Sequence, residues 1–263
     1  MPGIVPCYEY PAVARSYRRV RDKLRVPMIA VSALAAAALA YSLWPREKRP
    51  TLPECETGPT VAGIDVSYYQ DAIDWHRVQR AGMRFAFIRV SDGLSVEDPR
   101  FPRNWTGARR AGVLRGAYQH FRPDESAIAQ ADLMIAAIAR DPGELPPVID
   151  VEVDGGKSPD QVANQVRAWI ARVRAKLGVE PIIYTGPEFW RERVGGADLS
   201  SQPLWVAHYT SSCPTVPPPW TAWAFWQHTD TGQVPGIEGP VDLDVFAGTI
   251  DELEDFARRS RRN

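Results

Sequence analysis

The stretch PPVIDVE, residues 146–152, decides how the rest of the chain is interpreted. It is an apolar run that carries two acids at its end, Asp150 and Glu152. Successive side chains of a strand point to opposite faces, so a strand over residues 148–152 places both acids on one face, roughly 7 Å apart along the chain. The stretch therefore predicts a buried strand that gathers two carboxylates.

Strand-like and helix-like segments alternate on both sides of this stretch. Apolar strand patterns occupy residues 61–67, 85–91, 114–121, 146–152, 181–186, 203–209, 222–229 and 241–246. Helical patterns occupy residues 73–82, 104–112, 126–140, 158–178 and 250–260. Alternation of this kind is typical of parallel strands joined by crossover helices.

The last third of the chain departs from this alternation, because Pro- and Gly-rich loops replace helices between residues 203 and 246. Eight strands, about five of them followed by helices, fit a closed barrel better than an open sheet. The predicted fold is an α/β, TIM-like β/α barrel with about five β/α units and three irregular strands, preceded by one N-terminal transmembrane helix.

The N-terminal segment predicts that helix. Residues 26–44 carry no charge and are long enough to cross about 30 Å of hydrocarbon. Six basic residues lie in 15–25 and three in 46–49, so the N-terminus is expected in the cytoplasm. The predicted organisation is a basic cytoplasmic segment (1–25), a transmembrane helix or signal anchor (26–45), a linker (46–60) and a catalytic barrel (61–263).

A cleaved signal peptide is the alternative, since ALA at 38–40 has the small-x-small cleavage pattern. Both alternatives place the barrel outside the cytoplasm. An uncleaved anchor would hold it at the membrane, in the periplasm or cell envelope, and a cleaved signal peptide would make it a secreted protein. Cys55 and Cys213 would then share an oxidising compartment and could pair, while Cys7 would stay cytoplasmic. The spacing of the cysteines does not resemble a zinc site.

Charge excludes one class of partner. The whole chain has a formal net charge of −1, but residues 51–263 hold 22 basic and 29 acidic residues, a balance of −7. Such a domain is not expected to bind nucleic acid.

Acids recur at the ends of the predicted strands. Asp65 ends the first, Asp150 and Glu152 end the fourth, and the eighth carries Asp242 and Asp244. The active sites of such barrels lie at the carboxyl ends of the strands. Other strand ends carry Tyr118, His120, Tyr184, Tyr209, Trp226, Gln227 and His228. Aromatic and hydrogen-bonding side chains around acids suit a carbohydrate ligand.

Crowded, partly buried carboxylates have raised pKa values, and a raised acid can protonate a glycosidic oxygen. Glu152, nearest the rim, is the candidate general acid, and Asp150 the candidate for orienting a neighbour or stabilising positive charge. Each residue also has a structural reading: ion pairing for the acids, helix capping for Asp65, core packing for the aromatics. Packing alone gives no reason for acids at three separate strand ends.

An ordered set of motifs resembles one family, the glycoside hydrolase family 25 lysozymes, or Chalaropsis-type muramidases. The motifs are GIDVSYYQDAIDW, FAFIRVSDG, GAYQHFRP, PPVIDVE, IIYTG, LWVAHY, FWQHT and GPVDLDVF, within residues 61–246. The resemblance implies a β/α barrel that hydrolyses the β-1,4 bond between N-acetylmuramic acid and N-acetylglucosamine in peptidoglycan, without a metal or an organic cofactor. It leaves the oligomeric state open.

The resemblance also implies roles for single residues. The catalytic set is Asp65, Asp150, Glu152 as proton donor, and Asp242, whereas Asp244 stands where relatives often have Asn. The predicted substrate-binding residues are Tyr118, Tyr184, Tyr209, Trp226 and Gln227. Family members are considered retaining, with a participating substrate N-acetyl group favoured over a protein nucleophile.

Two other functions compete with this one. A non-catalytic peptidoglycan-binding domain on the same barrel would have no need for a proton donor. A chitinase-like enzyme is disfavoured, because the Asp-x-Asp-x-Glu pattern is absent and position 148 is Val.

Overall fold

The computed structural model describes residues 55, 58–195, 197–210 and 212–259. The strands are β1 Thr60–Val66, β2 Phe85–Asp92, β3 Val96–Glu97, β4 Leu114–His120, β5 Val148–Asp150, β6 Ile182–Thr185, β7 Leu204–Ala207, β8 Phe225–Gly232 and β9 Val241–Ala247. The helices are α1 Trp75–Arg80, α2 Phe101–Ala111, α3 Ala127–Ile138, α4 Pro159–Leu177, α5 Pro187–Phe189 and α6 Ile250–Arg259. A 3₁₀ turn, Tyr68–Gln70, follows β1, and a π-helical turn, Trp190–Val194, follows α5.

Eight strands close into a barrel, which confirms the predicted architecture. Around the ring the order is β1, β2, β4, β5, β6, β7, β8, β9, and β9 pairs back with β1. The two-residue β3 lies outside the ring, antiparallel to β2. Seven barrel strands are parallel, but β9 runs antiparallel to both of its neighbours. The parallel arrangement that the strand–helix alternation predicts is therefore wrong for the last strand.

The direction of β9 matters because Asp242 lies near its start rather than its end. Asp65, near the end of β1, is the register partner of Asp242 on β9. The start of an antiparallel strand meets the carboxyl ends of its parallel neighbours. Both acids therefore reach the same rim of the barrel.

Local sequence signals account for the helix bounds. Ser158 caps α4 through a capping box with Gln161, Pro159 occupies the first turn, and Gly178 ends the helix in a left-handed conformation. These bounds match the predicted segment 158–178. The helix predicted over residues 104–112 begins earlier, at Phe101.

Large aromatic side chains fill the barrel interior below the rim. Phe85 and Phe87 of β2 are fully buried there. Glycines on the flanking strands make room for them: a Cβ on Gly63 would lie 2.4 Å from the Phe85 ring, and one on Gly116 would lie 2.5 Å from Phe87. These aromatic side chains thus fill the interior at the level of Phe85 and Phe87 by packing.

The predicted membrane span, residues 26–45, lies outside the described residues, as do Cys7 and the basic segment. Among the helices that the structure describes, none combines the length and apolarity needed to cross a membrane.

A disulfide joins Cys55 and Cys213, which confirms that these cysteines pair. It links the segment before β1 to the loop between β7 and β8, across 158 residues of chain. A cross-link over so long a loop restricts the unfolded chain strongly.

We expect the double variant Cys55→Ser, Cys213→Ser to lose about 2–5 kcal/mol of unfolding free energy, because the open chain gains conformational freedom on unfolding. Denaturant unfolding of the oxidised wild type and the variant measures the difference. Reductant should weaken the wild type to a similar degree and leave the variant unchanged. Equal stability of the oxidised proteins would contradict the prediction.

Candidate active site

A cavity of about 240 Å³ opens at the carboxyl rim of the barrel. We call it the acidic pocket. Its lining is Asp65, Tyr118, Asp150, Glu152, Tyr184, Trp205, Tyr209, Gln227, Asp230 and Asp242. The four acids predicted as catalytic are thus brought together, along with four of the five predicted binding residues. A larger cavity, about 650 Å³ near Arg80 and Arg84 at the opposite end of the barrel, has no carboxylate in its lining.

Trp226 is the predicted binding residue that the structure contradicts. Its side chain is fully buried and packs in the layer between barrel and helices, where its indole N–H donates to the His208 carbonyl. Neighbouring residues of a strand point to opposite faces, so Gln227 faces the pocket and Trp226 cannot. Direct contact between Trp226 and substrate was a wrong prediction.

Gln227 lies at the centre of a hydrogen-bond network at the pocket floor. Its amide nitrogen donates to Asp65 Oδ2 at 2.7 Å. Its amide oxygen accepts from the hydroxyls of Tyr184, at 2.9 Å, and Tyr209, at 3.0 Å. The network holds one acid and two aromatic rings in fixed relation to each other.

His120 links the two acids of the PPVIDVE stretch. Its Nδ1 lies 3.2 Å from Asp150 Oδ2 and 3.2 Å from Glu152 Oε1. Burial alone would lower the pKa of the imidazole, but the hydrogen bonds to Asp150 and Glu152 outweigh it and raise the pKa to about 10. The two contacts thus favour the charged form of the His120 imidazole.

Asp150 and Glu152 lie in different environments. Strand β5 ends at Asp150, so Glu152 lies just beyond it, not within the strand as predicted. The Glu152 side chain is 45% exposed, against 7% for Asp150. Burial raises the pKa of Asp150 to about 7, and the neighbouring Glu152 charge adds to the rise. The Oδ1 atom of Asp150 is buried without a hydrogen-bond partner.

Asp65 and Asp242 form a second acidic pair across β1 and β9. Burial raises the pKa of Asp65 well above its usual range, and the charges of Asp242 and Asp244 reinforce this. Burial also raises the pKa of Asp242, to about 6. The pocket floor therefore retains protons at a pH where exposed aspartates have lost them.

Asp244 lies beneath this pair and outside the pocket lining. The Trp205 indole N–H donates to its Oδ1 at 2.8 Å, while its buried Oδ2 has no hydrogen-bond partner. Burial, followed by the Asp242 charge, raises the pKa of Asp244 well above its usual range.

We expect Asp244→Asn to raise the unfolding free energy at pH 7 by on the order of 1–3 kcal/mol, because a buried oxygen no longer has to retain a proton. The raised folded pKa means that the stability from Asp244 is complete below the unfolded pKa and is lost as pH rises. The gain should therefore vanish near pH 3. Urea unfolding at both pH values measures it, and an equal gain at both would contradict this reason.

His120, Asp150 and Glu152 also have the donor types and spacing that could hold a metal ion. One potential ligand atom from each lies within 4.8 Å of the others. The His120 Nδ1 already contacts both carboxylates, so a cation bound to this atom would have to replace its proton.

Three residues of the site, one that contacts two pocket acids and two in the pocket lining, were not predicted as site residues from the sequence. His120 shares a strand face with Tyr118, and that alternation was the available signal. Asp230, on β8, contributes charge that raises the pKa of Asp242. Trp205 and Asp230 line the pocket without any signal in the residues around them.

Comparison with known proteins decides the family. The sequence pattern of Glycosyl hydrolases family 25 matches residues 64–237. The chain belongs to this family. It is therefore a glycoside hydrolase, as the motif resemblance predicted.

Several known proteins are similar to this chain over most of its length. The uncharacterized protein YegX of Escherichia coli K12 is 44% identical over 75% of this chain and 73% of its own length. Lysozyme M1 of Streptomyces globisporus is 39% identical over 73% and 70%. The crystal structure of a lysozyme from Streptomyces coelicolor superposes with a TM-score of 0.71 at 36% identity, over 76% of this chain and 98% of that one. The barrel is thus a family 25 fold.

Proposed function

We propose that the chain is an N-acetylmuramidase that cleaves the β-1,4 bond between N-acetylmuramic acid and N-acetylglucosamine, with Glu152 as general acid. The observation that carries the proposal is the half-exposed Glu152 carboxylate beside the buried Asp150 in the acidic pocket. Membership of a family with relatives named lysozyme and N,O-diacetylmuramidase supports peptidoglycan as the substrate.

Glu152 has the access that a proton donor needs. A glycosidic oxygen entering the pocket can reach its exposed carboxyl group, which protonates the leaving sugar as the bond breaks. Asp150 is buried below it with an unpartnered Oδ1. The Asp150 carboxylate, which lines the pocket, can stabilise the positive charge that develops on the sugar.

The spacing of these acids favours retention of configuration. Ligand oxygens of Asp150 and Glu152 lie within 4.8 Å of each other. Inverting glycosidases separate their two carboxyl groups by roughly 6.5–9.5 Å to admit a water molecule. Attack by the substrate acetamido oxygen, with Asp150 orienting the acetamido group, fits the short spacing.

Product analysis tests the proposed function. Purified peptidoglycan is incubated with the full chain, and new reducing ends are reduced with borohydride and identified. A muramidase releases muramic acid ends, whereas a glucosaminidase releases glucosamine ends. Binding to the wall without release of any reducing end would support the non-catalytic alternative instead.

We also propose that the barrel works outside the cytoplasm, anchored by the apolar segment 26–45. The Cys55–Cys213 disulfide supports an oxidising compartment, and peptidoglycan lies in one. Mass spectrometry of the N-terminus of the native protein tests the anchor. An N-terminus that begins beyond residue 40 would mean that the segment is a cleaved signal peptide and that the enzyme is released.

A further inference from the structure

The acidic pocket continues into a second cavity at the carboxyl ends of β6 and β7. The second cavity has a volume of about 540 Å³ and shares Glu152, Tyr184 and Tyr209 with the acidic pocket. Phe189 and Arg191, which follow β6, lie farther out in its lining. Among the four proposed catalytic acids, Glu152 alone faces both cavities.

An exposed aromatic cluster lies at the carboxyl end of β1. Tyr69 is 72% exposed, and its ring centroid lies 4.4 Å from that of Tyr68. The Arg89 guanidinium packs over both rings, 4.7 Å from the Tyr68 centroid and 5.4 Å from the Tyr69 centroid. We call Tyr68, Tyr69 and Arg89 the Tyr69 platform.

The platform is held in place although its outer ring gains little from burial. Ser67 and Gln70 form a capping box around the turn. Asp98 Oδ2 accepts hydrogen bonds from the Tyr68 backbone N–H, at 2.9 Å, and from Arg89 Nε, at 3.2 Å. A ring that is already fixed loses little conformational freedom when a ligand binds to it. The arrangement therefore suits a role in ligand binding better than a role in stabilising the fold.

Arg89 connects the platform to the acidic pocket. It is the register partner of Tyr118, which lines the pocket. Burial dominates the raised pKa of Asp150, and the positive charge of Arg89 acts against that rise. The Arg89 side chain is buried, so its guanidinium is held in place against the two tyrosine rings.

The platform and the second cavity lie on opposite sides of the rim. In the closed ring of eight strands, the junction of β1 with β2 is four strands away from the junction of β6 with β7. The acidic pocket, with acids from β1, β5 and β9, lies between them. At about 240 Å³ it is below the usual size of a ligand site, so a polymer must extend past it.

We propose that the glycan strand crosses the rim from the Tyr69 platform to the second cavity, with its non-reducing part stacked on Tyr69 and its leaving part in the second cavity. The inference rests on the proposed function. The polarity follows from Glu152, because the acid that protonates the leaving sugar is the one that faces the second cavity. Tyr69 supplies an apolar face for a sugar ring, and Arg89 supplies charge beneath it.

Steady-state hydrolysis of soluble glycan strands tests the platform. Tyr69→Ala should raise KM about tenfold with kcat retained, because the ring contributes binding energy at a distance from the cleaved bond. Tyr69→Phe keeps the ring and should stay within about twofold of the wild type. Ile128→Ala removes another exposed apolar side chain, on α3, and should change nothing. An unchanged KM for Tyr69→Ala would overturn the platform.

A reducing-end-labelled glycan octasaccharide tests the polarity. Loss of non-reducing-side binding in Tyr69→Ala should move cleavage toward the non-reducing end, and Arg191→Ala should move it toward the reducing end. An unchanged cleavage position, or a shift in the reverse direction, would overturn the polarity.

If the wild type does not hydrolyse glycan at all, the proposed function fails. In that case the role of the Tyr69 platform is tested by comparing the glycan affinity of Glu152→Gln with that of the double variant Glu152→Gln, Tyr69→Ala.

Discussion

Glu152→Gln is expected to lower kcat on purified peptidoglycan by roughly 10²–10⁴-fold, the contribution of a positioned general acid. The amide keeps the shape of the carboxyl group, but its N–H is too weakly acidic to protonate the leaving oxygen. Because the side chain is 45% exposed and β5 ends before it, the change should not disturb the fold. KM should change little, since the substitution removes a contribution made in the transition state.

Dye-release assays on labelled wall, together with unfolding curves, separate catalysis from folding in this comparison. Glu238→Gln is the matched control, because it removes an exposed carboxylate from the loop between β8 and β9, outside the acidic pocket. It should retain wild-type kcat. Wild-type turnover by Glu152→Gln would refute the assignment of the proton donor.

Asp150→Asn is expected to lower kcat by roughly 10²–10³-fold, the range seen when one group that stabilises transition-state charge is removed. The amide cannot carry the negative charge that offsets an oxocarbenium-like sugar. It also presents an N–H where the carboxylate presents two acceptors. Substrate binding should be affected less than turnover.

The His120 imidazole provides an independent readout of Asp150→Asn. Hydrogen bonds to Asp150 and Glu152 raise the pKa of His120 to about 10 against the effect of burial, so removing the Asp150 charge should lower it. NMR titration of the ring measures this shift. Asp132→Asn, which breaks an ion pair with Arg172 between α3 and α4, should leave both kcat and the titration unchanged. Unchanged turnover and an unchanged His120 pKa in Asp150→Asn would contradict the proposed role.

The elements of the fold were predictable because their signals are local. Alternating or continuous apolar runs mark the barrel strands, and the Ser158 cap with Gly178 marks the ends of α4. Strand number and the strand–helix alternation then favour closure into a barrel. The positions of Asp65 and Asp150 at strand ends follow from the same signals, because the active rim of a β/α barrel is always at those ends.

Other features depend on pairing that no local signal contains. The direction of β9 is set by its partners β8 and β1, and it places Asp242, not Asp244, in the pocket. The alternation that carries Gln227 into the pocket buries Trp226, but strand pairing decides which of the two faces inward. Neighbouring residues in the sequence do not show which face of a strand points into the barrel.

By itself the sequence determined the barrel, the strand ends that carry acids and the family, because periodicity, capping and motif order are properties of neighbouring residues. Only the tertiary structure decided that His120 joins Asp150 to Glu152, that Gln227 joins Asp65 to two tyrosines, and that Tyr69 stands across the rim from the second cavity. Hydrogen bonds and burial act over a few ångströms between residues far apart in the chain. They exist only once the barrel has closed.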